Sequence, residues 1–204
     1  MESSIQQPTQ DAPILNIVGE KVALGPIHRG WIPLIHKWQN DFQVALFSGD
    51  PLRPVSLEAI QAEYEEHTKK QQRYREETFG IYARTTLQPL GVVELRHINL
   101  HGRTATMGIG IGEKDYWSKG YGTEAILLIL DYGFTVLGLH NIDLTTYAYN
   151  DRATGAYLKA GFKLIGRRRE AHRWGGKIYD ELHMDCLATE FQLPGHLKSA
   201  IELP

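Results

Sequence analysis

The sequence predicts a single mixed α/β (α+β) domain, in which a mostly antiparallel central sheet of about six to seven strands carries helices on both faces. Its length of 204 residues suits one domain, and 42% hydrophobic and 23% charged residues are an ordinary globular composition. The elements follow in the order strand, two helices, three strands, helix, strand, helix and two strands. We expect residues 1–13 to be a flexible tail, residues 14–187 to form the domain, and residues 188–204 to be a loosely attached C-terminal tail.

Turn residues and hydrophobic periodicity define the elements of the first half. Val22–Ile27 is the first predicted strand, and Arg29–Phe47 carries a helical stripe of apolar side chains. Ser56 then caps a second helix, which runs to about Gln72. Three successive antiparallel strands are predicted next, over Thr78–Arg84, Leu90–Asn99 and Arg103–Gly112.

The second half begins with the most apolar segment of the chain. Gly122–Leu137 is predicted to be a helix whose wet face is marked by Glu124, Asp131 and Thr135. Ile142–Tyr149 is a strand, and the short helix after it is capped by a polar residue and ends at a glycine. The cap is Asn150, the glycine is Gly161, and a last hairpin is predicted over Lys163–Arg169 and Ile178–Leu187.

Composition excludes several classes of protein. A net charge of −2 provides no basic field for binding nucleic acid without specificity. The longest apolar run, Ala125–Leu130, is far shorter than the roughly 20 residues of a membrane helix, and the N-terminus does not resemble a signal peptide. The single cysteine, Cys186, excludes an internal disulfide and a multi-cysteine metal site. We therefore expect a cytoplasmic protein with no nucleic-acid partner, no membrane partner and no metal.

One strand carries three glycines on the same face. Side chains alternate along Thr104–Gly112, so Gly108, Gly110 and Gly112 share a side and leave the backbone bare there. Glycines in a strand mark a bulge, close packing of another element, or a ligand that approaches the backbone. The pattern does not decide between these explanations.

A glycine-rich turn leads directly into the apolar helix. The segment 117–125 reads Trp-Ser-Lys-Gly-Tyr-Gly-Thr-Glu-Ala, and free N–H groups at a helix N-terminus bind phosphate. It fails the P-loop order because Lys119 precedes Gly120. It matches a Rossmann fingerprint, but the strands before it read as antiparallel. A turn that binds the diphosphate of coenzyme A and a purely structural turn without a ligand both fit the segment as well.

Three motifs in order and spacing carry a family resemblance. They are the segment 109–125, then Asn150-Asp151-Arg152-Ala153, then the segment 156–162, Ala-Tyr-Leu-Lys-Ala-Gly-Phe. Over about residues 20–187 the chain resembles the GNAT superfamily of N-acetyltransferases, nearest its ribosomal-protein-alanine and spermidine N-acetyltransferase-like branch. The family often has Gln or Arg where this chain has Trp117, so one side-chain contact to the phosphates is missing.

The resemblance implies a GNAT-like fold, acetyl-CoA as co-substrate and a role for each matched position. The backbone of Ile109, Gly110 and Ile111 is expected to hydrogen-bond the pantetheine arm, and Asn150 to reach the pantetheine amide or the acceptor side. Tyr157 is expected to protonate the departing sulfur, unless it only packs its helix against the sheet. The diphosphate is expected at Trp117, Ser118, Lys119, Gly120, Tyr121, Gly122 and Thr123.

The expected reaction is direct attack of a primary amine on the acetyl thioester in a ternary complex. The amine must first lose a proton, so a base is needed, directly or through water. Glu94 is our candidate because it shares a strand face with Val92 and Ile98, although a carboxylate there could instead pair with an arginine. His97 or ordered water could also serve as the base. No covalent enzyme intermediate is required.

The acceptor side is poorly specified by the sequence. We expect the helices of residues 29–72 to form one wall and the arginine-rich hairpin 167–173 another. The acceptor is a small amine or a protein N-terminus, and because dimers are common in the family a homodimer is an open expectation. Two rival functions are a non-catalytic acyl-CoA-binding module of the same fold and a nicotinamide-dependent Rossmann enzyme.

Overall fold

The computed structural model describes residues 12–48, 52–73 and 76–199, and one sheet of eight strands runs through them. Its order is β1-β2-β3-β4-β5-β6-β8-β7, with every neighbouring pair antiparallel except β5 and β6. The predicted class of fold is therefore confirmed. The strands are β1 Ile17–Val18, β2 Val22–Gly25, β3 Glu77–Ala83, β4 Pro89–Asn99, β5 Thr104–Ile111, β6 Asn141–Tyr147, β7 Lys163–Trp174 and β8 Lys177–Leu187.

Helices cover both faces of the sheet. A 3-10 turn, Arg29–Trp31, precedes the helices of one face, and a π-helical turn, Tyr132–Val136, follows the main helix of the other. The α-helices are α1 Ile32–Asn40, α2 Phe42–Ser48, α3 Leu57–Arg73, α4 Tyr121–Asp131 and α5 Asp151–Lys159. None of the helices in the described ranges is long and apolar enough to cross a membrane.

The single parallel pair opens the sheet. β5 and β6 are in register only where Thr104–Thr106 face Asn141–Asp143. Beyond these residues β5 continues to Ile111 and β6 to Tyr147 without pairing with each other. The edge of β5 that faces β6 is therefore free along its second half.

Apolar side chains of α4 form the main core. Ile126, Leu128 and Ile129 are almost fully buried against the sheet face that carries Leu95 and Met107. The predicted wet face of this helix is wrong at two positions, since both of its carboxylates are buried and hydrogen-bonded. These are Glu124, which accepts bonds from the turn between β1 and β2, and Asp131, which accepts one from Ser199.

The opposite face packs on α1 through a small aromatic cluster. Trp31, Trp38 and Tyr82 are buried there, with the two indoles edge to face at 6.1 Å. Two strand glycines make this packing possible, because a Cβ on Gly80 would overlap the Trp31 ring and one on Gly112 the Trp38 ring. Close approach of another element therefore explains the glycine at 112.

Local caps explain where the helices differ from prediction. The predicted helix 29–47 is broken at Asp41, whose extended backbone (φ −85°, ψ 101°) ends α1 and whose Oδ1 accepts from Gln43 N at 3.0 Å to start α2. The predicted helix to Leu137 leaves α-geometry after Asp131, where the Thr135 hydroxyl donates to the Asp131 carbonyl.

The last hairpin is longer than predicted. β7 continues to Trp174, and a two-residue turn, Gly175 (φ 56°) and Gly176 (φ 77°), joins it to β8. Positive φ at both residues lets so short a turn match the right-handed twist of the two strands. Glu170, also at positive φ (53°), lies where the register of β7 against β8 shifts. This irregularity interrupts the alternation of side chains, so the sequence predicts a shorter strand. Residues 167–173 are therefore strand and not the hairpin tip.

Residues 188–199 lie against the core, although the sequence predicts a tail from residue 188. Leu197 is buried, and the ring of Phe191 lies 5.3 Å from that of Phe134. Residues 1–11 and 200–204 are outside the described part of the chain, so the domain limits 14–187 stay a prediction.

Candidate active site

A cavity of about 360 Å³ occupies the opening between β5 and β6. Its walls come from α2, the end of β5, the turn before α4 with the first turns of that helix, and α5. They include Ile109, Gly110, Ile111, Trp117, Ser118, Gly120, Gly122, Thr123, Asn150, Arg152, Ala153 and Tyr157. The structure thus brings together most of the residues that the sequence predicts to bind coenzyme A, a set that spans 48 positions from Ile109 to Tyr157.

The turn before α4 presents unpaired amides to this first cavity. Gly120 has the left-handed conformation (φ 89°), and Ser118 also has positive φ (58°). Within the described residues, no N–H of Ser118, Lys119 or Gly120 has a hydrogen-bond acceptor. The first N–H groups of α4 have no partner inside the helix either, and they lie at the positive end of its dipole. This end of the cavity can therefore bind an anion.

Lys21 lies beside the same turn, a contact that the sequence does not predict. Its Nζ donates to the Lys119 carbonyl at 2.9 Å, and its backbone N–H donates to Glu124 Oε1 at 2.7 Å. Glu124 is only 6% exposed and accepts a second bond from Val22 N at 3.1 Å. A buried carboxylate of α4 thus holds a lysine next to the N-terminus of its own helix, and a positive charge adds to the amides of the turn.

The free edge of β5 offers backbone groups in the plane of the sheet. Gly112 N donates to Leu90 O at 2.8 Å, and the antiparallel register then directs alternate residues, Gly110 included, to β4. The backbone groups of Ile109 and Ile111 point the other way, into the first cavity. The strand register alone directs these backbone groups into the cavity. The glycines at positions 108, 110 and 112 are not needed for that direction.

The side chain of Trp117 hydrogen-bonds one of the backbone groups on the free edge of β5. Its indole Nε1 donates to the Ile111 carbonyl at 2.7 Å. The tryptophan therefore ties the turn to the end of β5, whereas the sequence alone indicates only a lost phosphate contact at this position. The Ile109 N–H and carbonyl and the Ile111 N–H stay directed at the cavity.

Arg152 is a second residue whose place in the site the sequence does not predict. Its guanidinium lies 3.6 Å from the Trp117 ring centroid and 4.6 Å from that of Phe47. Burial lowers the pKa of Arg152 from its ordinary value. A guanidinium side chain is nevertheless always charged in proteins. The wall between the turn and α5 therefore carries a cation, which suits a polyanionic ligand.

Tyr157 and Asn150 both reach the first cavity from α5. The Tyr157 side chain is 8% exposed, packs edge to face on Phe162 at 5.9 Å, and has no hydrogen bond to its hydroxyl among the described residues. Burial raises the pKa of Tyr157 to about 12. Asn150 Oδ1 caps α5 by accepting from Ala153 N at 3.2 Å, which leaves its amide nitrogen as a donor.

A second cavity of about 530 Å³ lies on the α1–α3 side of the sheet. One end is apolar, with Ile27, Ile35 and Trp38. The other end carries the polar side chains of α3 and the sheet, namely Glu63, Tyr64, His67, Thr68, Thr78, Glu94 and Arg96. Val44, Ile109 and Gly110 line both cavities, so the two cavities adjoin at β5.

Glu94 lies on the floor of this second cavity. Its Oε1 is 3.2 Å from Arg96 Nε, and a Cβ on Gly108 would lie 2.7 Å from the same oxygen. Gly108 therefore makes room for an ion pair, while a Cβ on Gly110 would meet nothing within 4 Å. Of the three glycines, only Gly110 leaves the strand backbone open to a ligand.

Other expected participants lie elsewhere. His97 is exposed at the end of β4 and lines neither cavity, and the described residues contain no cluster of three metal-ligating side chains. The hairpin predicted as an acceptor wall lines neither cavity, and its Arg167 pairs with Asp180 at 3.1 Å. Cys186 is a core thiol, and burial raises its pKa to about 11.

Comparison with known proteins finds one matching family and several relatives. The acetyltransferase (GNAT) domain family matches residues 22–163. Spermidine N(1)-acetyltransferase of Escherichia coli K12 is 29% identical over 175 residues, covering 86% of this chain and 90% of that protein. The enzyme of the same name from Vibrio cholerae is 27% identical, covering 85% and 97%. A crystal structure of the Vibrio cholerae enzyme with CoA and spermine superposes with a TM-score of 0.74 at 26% identity, covering 83% of this chain and 97% of that one.

Proposed function

This chain belongs to the GNAT acetyltransferase family and is an acetyl-CoA-dependent N-acetyltransferase, and from that premise we propose that the acetyl group passes to a primary amine where the two cavities meet. The observation that carries this proposal is the shared wall of Val44, Ile109 and Gly110. A thioester in the first cavity and an amine in the second would approach each other there from opposite sides. Direct attack in a ternary complex then needs no enzyme-bound acyl group.

The first cavity suits coenzyme A in charge and in shape. The amides of residues 118–123 would hold the diphosphate, and Lys21 and Arg152 add positive charge beside them. The unpaired groups of Ile109 and Ile111 would extend the sheet by hydrogen-bonding the pantetheine amides, with the Asn150 amide nitrogen as a further donor. Acetyl-CoA itself supplies the activated acyl group.

Lys21→Ala is expected to raise the Kd of coenzyme A about tenfold, because it removes one charged contact near the diphosphate. Isothermal titration measures this, and the difference from wild type shrinks at high salt. Lys163→Ala, which removes a lysine paired with Glu190 on the surface, is the control and leaves the Kd unchanged. Pantetheine has no phosphate, so Lys21→Ala should not weaken its binding. An unchanged Kd for coenzyme A would exclude Lys21 from the diphosphate site.

The residues of the junction divide the proton transfers. An acceptor amine must be neutral to attack, so a base has to take its proton. The proposed base is Glu94, the carboxylate of β4, which lies close to Gly110 at the junction of the cavities. It lies opposite Gly108, two residues or about 7 Å from the level of Gly110, so the proton would reach it through a water. The Ile109 N–H would stabilise the developing oxyanion, and the Tyr157 hydroxyl would face the departing sulfur.

Glu94→Gln is expected to lower kcat about 100-fold and to remove the acid limb of the pH–rate profile that a carboxylate base produces. Steady-state rates of thiol release from pH 5.5 to 9 measure both effects. His97→Gln is the control, because this side chain is exposed and lines neither cavity. A profile with its acid limb intact would assign the proton transfer to ordered water.

The overall function is tested by thiol release from acetyl-CoA with a panel of amines, with mass spectrometry of the product. Release that depends on an acceptor supports the transferase. Binding of coenzyme A with no release of thiol in the presence of any amine tested would favour the non-catalytic acyl-CoA-binding module. The sheet, antiparallel in every neighbouring pair but one, does not fit the nicotinamide-dependent Rossmann enzyme, whose fold is built on a parallel sheet.

The acceptor that we propose is a small-molecule amine. Two named relatives acetylate spermidine, and Glu63 and Glu94 give the second cavity carboxylates that attract an ammonium group. Polyamines are therefore included in the panel, beside single amines and peptides with a free N-terminus. A homodimer, a cytoplasmic location and the absence of nucleic-acid and membrane partners stay predictions.

A further inference from the structure

The second cavity has an unusual charge for a site that is to hold a polycation. Its ionisable lining side chains, within the described residues, are Glu63, Tyr64, His67, Glu94 and Arg96. The two carboxylates and the guanidinium provide two negative charges and one positive charge. Spermidine carries three ammonium groups, so one of them would have no carboxylate and would meet a guanidinium.

Arg96 lies over the floor of the cavity. Its Nε is 3.2 Å from Glu94 Oε1, and its Nη2 lies 3.4 Å from where a Cβ on Gly108 would be. The guanidinium therefore reaches back from β4 across β5, and Gly108 is what allows it. One of its donors is used by Glu94, and the other N–H groups can bind an acceptor oxygen.

The strand register orders these groups along the cavity. Val92 pairs with Gly110, Glu94 with Gly108 and Arg96 with Thr106. At about 3.4 Å per residue, Glu94 and Arg96 lie about 7 and 14 Å along the strand from the level of Gly110, where the cavities meet. The guanidinium of Arg96 reaches back towards Gly108 and so lies between these two distances. Thr78 and His67, which are hydrogen-bonded to each other at 3.3 Å, lie in the same polar end. An acceptor with its amine at the junction would extend its far end towards Arg96.

From this arrangement we propose that Arg96 makes the second cavity selective for amines that carry a carboxylate at the far end of the molecule. The guanidinium fork matches the two oxygens of a carboxylate and repels an ammonium group. The substrate class is then an amino acid with its amine and carboxylate about 7 to 10 Å apart, or a short peptide. The inference rests on the proposed transferase function and narrows its acceptor.

A matched pair of acceptors tests the proposal on the full-length enzyme. 5-Aminopentanoate and 1,5-diaminopentane share a five-carbon chain and a primary amine and differ in the charge of the far end. We expect wild-type kcat/KM for thiol release to be at least tenfold higher with the amino acid. Arg96→Gln should lower kcat/KM for the amino acid about tenfold and raise it for the diamine. Arg96→Lys keeps the charge without the fork and should keep part of the preference.

The ratio between two acceptors on one enzyme separates recognition from structural damage, because loss of folded protein lowers both rates alike. Arg173→Gln removes a charge from β7, outside both cavities, and should leave the ratio at its wild-type value. A wild-type preference for the diamine or for spermidine, with no change of the ratio in Arg96→Gln, would overturn the inference while leaving the transferase standing. No thiol release with any acceptor would overturn both.

Discussion

Replacing Gly122 by leucine is expected to abolish binding of coenzyme A while the domain stays folded. Gly122 is the second residue of α4 and lines the first cavity, and a Cβ there would lie 3.6 Å from Ile111 Cγ1 without a clash. A leucine side chain would fill the space in front of the free amides and keep phosphate oxygens out of reach. We expect a loss of at least 100-fold in affinity, measured by isothermal titration.

Gly122→Ala separates stability from binding at the same site. Alanine is favoured over glycine in a helix by about 1 kcal/mol, so the free energy of unfolding of the unliganded protein should rise while affinity for coenzyme A falls. Gly120 is less suited to this test, because its φ of 89° makes any side chain strained. Gly166→Ala in β7 serves as the control for glycine replacement. Wild-type affinity in a folded Gly122→Leu variant would rule out the diphosphate site at α4.

Tyr157→Phe is expected to lower kcat by about 100-fold or more while the Kd of coenzyme A changes little. Tyr157 lines the first cavity, and its hydroxyl has no hydrogen-bond partner among the described residues, so its removal breaks no structural hydrogen bond. Stability measured by urea unfolding should therefore be unchanged. Tyr132→Phe, in the π-helical turn against Phe79, is the control for loss of a hydroxyl. An unchanged kcat would assign Tyr157 to packing against Phe162.

The raised pKa of Tyr157 also sets a pH dependence. Burial disfavours the phenolate, so with a pKa of about 12 the hydroxyl keeps its proton across pH 7 to 10. Its ionisation should accordingly cause no fall in kcat below pH 10. The thiol of the leaving group has an ordinary pKa near 8.5, so full proton transfer from Tyr157 is uphill and the hydroxyl acts first as a hydrogen-bond donor to sulfur.

Features that depend on neighbours in sequence were predictable. The alternation of side chains along Thr104–Ile111 predicts the strand β5, and the apolar run predicts the helix α4. The glycine-rich turn between them predicts a helix N-terminus with free amides. The break at Asp41 is also local, since its carboxylate caps the next helix, and the hydrophobic stripe across it hid this signal.

Features that depend on distant contacts were not predictable. Glu124 looks like a surface residue in the sequence, yet it is buried because it binds amides 102 and 103 positions away. Lys21 gains its place at the turn only through that contact, and Arg152 gains its place by stacking on Trp117. The glycine stripe of β5 shows the same limit: Trp38 and the Glu94–Arg96 pair explain two of its members, and both partners come from other elements.

A crystal structure of this protein with coenzyme A tests the central claim most directly. We predict diphosphate oxygens within hydrogen-bonding distance of main-chain nitrogens of residues 118–123, and a pantetheine chain lying between β5 and β6 against Ile109. Electron density for the cofactor at any other place, with the start of α4 bare, would contradict it.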